Sequence, residues 1–124
     1  LHAALSELEH EGLHARQARE EELLHRFLLG LDEIDGIHMI GTRDLNRKVG
    51  LVSVDFTARR DNAEVADCLS TEYGILTRCG LHCAPNAHKT YGTFPQGTVR
   101  FSFNSTNTIE EIDFTLSSIK AILD

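Results

Sequence analysis

The 124-residue chain carries 19 acidic against 12 basic side chains, a formal net charge of −7 at pH 7, and has the length of one domain around one core. Its few Lys and Arg residues are scattered rather than gathered into a phosphate-tracking stripe, which argues against nucleic acid as a partner. No apolar run is long enough to cross a bilayer as a helix, and three cysteines, an odd number, favour reduced thiols over a disulfide framework, so no membrane partner and a cytoplasmic location are expected.

The chain starts at Leu1 without a Met, in acidic helix-forming residues unlike a secretory signal, and reads as a piece of a longer protein. Leu1, Leu5 and Leu8, then Leu24, Phe27, Leu28 and Leu31, recur at helical spacing and predict one long amphipathic helix over 1–31, kinked near Gly12. The period then falls to two in "DGIHMIGT" and "VGLVSVDF", predicting two strands joined by a polar turn at "RDLNRK". In the second strand Val52, Val54 and Phe56 share one face, with Leu51, Ser53 and Asp55 on the other. Asp61 and Glu64 have the form of a capping box, and Gly74 offers a left-handed stop, bounding a helix over 62–73. "ILTRC" is short and β-prone, whereas "TVRFSF" alternates, with Val99, Phe101 and Phe103 on one face and Arg100 on the opposite one. Between these two, the segment holding Gly80, Pro85 and Gly92 is expected to be an exposed, mobile loop. Thr108 and Glu111 open a final helix with a stripe of Ile109, Ile112, Leu116, Ile119 and Leu123. The order of elements implies an α+β fold: a small, mostly antiparallel sheet with helices packed on one face, in a single domain over 1–124.

The chemistry concentrates in "TRCGLHCAPNAHKTYG", residues 77–92. Cys79, His82, Cys83 and His88 could in principle ligate zinc, but His82 and Cys83 are adjacent and no second well-spaced Cys pair exists, so no metal site is expected. Cys83 suits a nucleophile better, since Arg78, His82, His88 and Lys89 nearby favour the thiolate; the duller reading is a surface cysteine in a polar loop. Arg100, a guanidinium on the non-core face of a rigid strand, could hold a carboxylate through two parallel hydrogen bonds, or could simply be solvated. Arg78 could play a similar part. Cys68, near Val65 and Leu69, reads as a packing residue, and His2, His10, His14 and His25 read as solvated.

"TRCGLHCAP" followed by "GTVRFSFNSTNTIEEID" resembles the C-terminal domain of the cysteine desulfurase-like branch of class V aminotransferases, pyridoxal 5′-phosphate enzymes of fold type I. Arg78, Gly80, His82, Cys83 and Ala84 stand where that family has its cysteine motif, and Arg100, Asn107, Thr108, Glu110 and Glu111 match its strand arginine and acidic final helix. The resemblance implies that Cys83 takes sulfur from L-cysteine as a persulfide, releasing alanine, while Arg100, helped by Arg78, holds the substrate carboxylate and His82 orients the loop. It implies further that the cofactor lysine belongs to a large domain absent from this chain, that Lys89 is not that lysine, that a protein or thiol accepts the sulfur, and that the full-length form is a homodimer. The isolated chain is then expected to be inactive. Selenocysteine lyase or another class V aminotransferase is the near alternative; a stand-alone Cys/His metal- or partner-binding module is the distant one.

Overall fold

Gly12 breaks the leading helix. In the computed structural model, which describes residues 1–124, α1 (His2–Glu11) and α2 (Leu13–Asp32) are separate helices, because Gly12 adopts φ 81° and ψ 135°, outside helical space. The expected single kinked helix is thus corrected to two. No residue of α1 is buried, whereas α2 buries Leu23, Leu24, Phe27, Leu28 and Leu31.

The strands are β1 (His38–Ile40), β2 (Leu51–Asp55), β3 (Arg78–Gly80) and β4 (Thr98–Ser102), and α3 (Asn62–Tyr73), α4 (Pro85–Tyr91) and α5 (Ile109–Leu123) complete the chain. They form one sheet in the order β1-β2-β4-β3, antiparallel throughout, with β3 at an edge. Between β1 and β2, the polar turn closes as a 3₁₀ turn over Leu45–Arg47, with the Asp44 carboxylate accepting from the Asn46 amide.

The pleat sorts the faces as the alternation predicted. Val52, Val54, Val99 and Phe101 join residues of α2, α3 and α5 in a core of 17 buried apolar side chains. The Phe27 ring meets Phe101 at 5.2 Å and Phe103 at 5.7 Å between centroids, tying α2 to β4. Each such side chain contributes roughly 1.5–3 kcal/mol on burial. Gly30 lets α2 approach α5, since a Cβ there would overlap the Leu116 methyl groups. Asp61 caps α3 by accepting from the amides of Ala63 and Glu64, and Thr108 and Glu111 form a complete capping box as read. Glu64 does not complete the first box; its carboxylate pairs with Arg60 instead.

One expectation fails between β3 and β4. The segment expected as a mobile loop contains α4, a seven-residue helix with Pro85 at its start and Gly92 (φ 73°) at its left-handed end. Pro at the first turn and Gly after the last is the signature of a helix as much as of a loop.

Candidate functional site

The face of the sheet turned away from the helical core carries the polar side chains. Arg100 pairs in register with Ser53 on one side and with Arg78 on the other, so the two guanidinium-bearing residues stand directly opposite each other on adjacent strands. Like charges at that spacing repel. Neither arginine takes part in an ion pair. Asp55, also on this face, accepts from Asn62 and from the Thr57 amide rather than from either arginine. Arg100 Nε is buried without a hydrogen-bond partner.

Beyond β3 the chain turns sharply. The Ala84 amide donates to the Leu81 carbonyl at 2.8 Å, and both residues inside the turn, His82 (φ 51°) and Cys83 (φ 60°), are left-handed. Positive φ at two consecutive non-glycine residues costs of order 1–3 kcal/mol each and persists only where surrounding contacts enforce it. The result is that Cys83 is exposed at the tip while His82 turns inward, its Nε2 3.2 Å from Thr98 Oγ1 and its Nδ1 buried without a partner. Burial pushes the His82 imidazole below its ordinary value of 6.5; Arg100 and His88 add to the fall, a hydrogen bond with the Thr98 backbone opposes it, and Arg78 contributes least. His82 is therefore neutral at pH 7.

The other cysteines are placed for different work. Cys79 faces the core from β3, and burial, reinforced by the charge of Asp61, pushes its thiol up and so keeps it protonated. Cys68 packs against the core as its spacing suggested. His2, His10, His14 and His25 are exposed. No three His, Cys, Asp or Glu side chains come together in metal-binding geometry.

Sequence reasoning missed two features here. Asn62, 1% exposed at the start of α3, accepts from the Phe56 amide and donates to Asp55 and to the Gly97 carbonyl, binding the end of β2 to the entry of β4. Gly97 lies so close to the Gly80 backbone that a Cβ would overlap it, so the two ends of the Cys83 segment touch through glycines. A cavity of about 310 Å³ lies elsewhere, between the end of α3 and α5 beside Phe101 and Phe103.

Comparison with known proteins assigns the fold. A family model described as Aminotransferase class-V matches residues 1–114. The chain belongs to the class-V aminotransferase family. This class-V chain is 32% identical over 126 residues to a probable cysteine desulfurase 2 of Mycobacterium leprae, covering all of this chain and 29% of that protein. It is 32% identical to a probable cysteine desulfurase of Pyrococcus abyssi, covering 99% of this chain and 29% of that one. Among solved structures, the apo cysteine desulfurase of Thermococcus onnurineus NA1 superimposes with a TM-score of 0.89 at 31% identity, covering 98% of this chain and 29% of that one. The Escherichia coli cysteine desulfurase CsdA, in its S-sulfonic acid form, gives 0.85 at 26% identity over 98% of this chain and 28% of that one. The chain thus spans about 29% of the length of these two curated relatives.

Pyridoxal phosphate is the cofactor that the family implies. Of this chain's side chains, Arg100 Nε and His82 Nδ1 are buried without partners. A lysine placed to hold the cofactor is not among them: Lys120 pairs with Glu33, Lys48 lies half-buried ahead of β2, and the Lys89 ammonium sits 5.2 Å from the centre of the Phe94 ring.

Proposed function

We propose that the chain is the C-terminal domain of a cysteine desulfurase, supplying Cys83 as the sulfur-accepting thiol and Arg100 as the carboxylate anchor to a site completed by a larger domain. The observation that carries this reading is the unpaired Arg78–Arg100 couple, facing away from the core, with Arg78 on the strand that runs into the strained turn bearing an exposed cysteine. Two like charges in register cost stability unless an anion bridges them, and a carboxylate is the anion an amino-acid substrate brings. The cofactor, held by residues outside this chain, supplies the electron sink that weakens the substrate's carbon–sulfur bond.

This chain's own residues do the rest. Arg100 receives the carboxylate on a strand whose backbone is pinned on both sides, so the substrate is oriented before reaction. Cys83, as thiolate, attacks the sulfur of bound L-cysteine: the S–S bond forms as the C–S bond breaks, the carbon takes the electron pair and a proton, alanine leaves, and Cys83 retains the sulfur as a persulfide. A protein or small thiol then accepts that sulfur. His82, neutral and fixed on Thr98, orients the turn rather than adding charge to it.

The test is the complete protein with pyridoxal phosphate and L-cysteine. Alanine formation is expected to vanish in Cys83→Ala, with no persulfide found on any other cysteine. Full activity in that variant would refute the assignment. The isolated 124-residue chain is expected to release no alanine when the cofactor is added.

A further inference from the structure

Within α4 only His88 is buried, at 8% exposure, and it lies outside the apolar core cluster. A buried imidazole needs partners at its polar edges. Its Nδ1 lies 2.7 Å from the hydroxyl of Thr93, itself 4% exposed. The ring packs against His82 at 5.8 Å between centroids and 46° between planes. His82 in turn rests on Thr98. A row of polar contacts, Thr93 to His88 to His82 to Thr98, therefore stands behind the turn that carries Cys83. That turn has one backbone hydrogen bond, from Ala84 to Leu81, and no glycine at either left-handed position.

We propose that His88 is a positioning residue for Cys83: anchored by Thr93, its ring backs His82 and keeps the His82–Cys83 turn left-handed, so that the thiol is held exposed at the tip of the turn that follows β3. This rests on the reading of Cys83 as the sulfur-accepting thiol, and it assigns the task of α4, a helix that contributes nothing to the core. Thr93 is the anchor, His88 the strut and His82 the element braced.

Two substitutions separate bracing from ordinary helix packing. His88→Asn keeps an amide atom near the position of Nδ1, and so the link to Thr93, but removes the ring from His82. His88→Phe keeps a ring against His82 and gives up the Thr93 bond. In the 124-residue chain, site-resolved hydrogen exchange and iodoacetamide labelling of Cys83, read by peptide mass spectrometry, report on the turn without cofactor or turnover. The expected result for His88→Asn is exchange at the Ala84 amide about tenfold faster and a several-fold fall in Cys83 labelling, with the amides of α4 and β4 unchanged. His88→Phe is expected to stay within about threefold of wild type on both. Wild-type behaviour of His88→Asn would overturn the proposal, as would loosening of the whole of α4 in both variants. If wild-type Cys83 labels no faster than free cysteine while the Ala84 amide responds as expected, the brace stands and the nucleophile reading falls.

Discussion

Arg100 owes its value to what surrounds it. A guanidinium in the middle of a strand, opposite a second arginine and without a carboxylate partner, is poorly accommodated in the domain alone; on the proposed reading, a substrate carboxylate supplies the missing partner. Arg100→Lys in the complete enzyme removes the fork while keeping the charge, and is expected to raise KM for L-cysteine by roughly 10- to 100-fold, measured by alanine release under steady-state conditions. Asn62 makes a structural prediction of the same kind. Its removal leaves the Phe56 amide and the Gly97 carbonyl buried and unpaired, so Asn62→Ala is expected to cost about 3 kcal/mol in urea unfolding. His82 sets a pH response. Its folded-state value lies below its unfolded one, so the unfolded chain binds the extra proton, and stability falls as the pH drops below about 6.5 and levels off beneath the folded value. The Tm of wild type is expected to fall more between pH 7.5 and 5.5 than that of His82→Asn, with Glu33, Glu111 and Asp113, all held below their ordinary values by hydrogen-bonding partners, acting only at lower pH. The exposed place of Cys83 and the non-core place of Arg100 were legible because local residue type and strand alternation announce them. Asn62 was not, since a polar residue just inside a helix reads as solvated until the strands that enclose it are in place.

At the scale of elements, α2 and α5 are held at close range by Gly30. Alanine is worth nearly 1 kcal/mol more than glycine in a helix interior, yet here the added methyl would overlap Leu116, and packing outweighs propensity. Gly30→Ala is expected to destabilise by roughly 1–3 kcal/mol, and a Gly30→Ala/Leu116→Ala double mutant to lose less than the sum of the two, which chemical denaturation would show. The bounds of α3 and the capping box of α5 followed from local signals, because caps and left-handed glycines act within one turn of chain. The helix α4 did not. Its Pro and Gly punctuate loops and short helices alike, and its amphipathic stripe reduces to the single buried His88, too little for a periodicity to register.

For the whole molecule, α1 projects from the core without burying a side chain, so removal of residues 1–11 is expected to change the Tm by no more than a few degrees. The core is a three-helix layer of α2, α3 and α5 on one face of an antiparallel sheet, with the Arg78–Arg100 pair on the other. The sequence by itself determined that layering, since hydrophobic period and chain length leave few ways to bury one face of each element. It also determined the family, whose motif residues fall in two short local runs. Only the tertiary structure decided that Arg78 meets Arg100 in register, that Cys79 turns inward while Cys83 turns outward, and that Thr93, His88, His82 and Thr98 form one row. Those relations depend on strand register and on a turn with two left-handed residues, and neither leaves a periodic trace in the chain because each is enforced by contacts between distant segments.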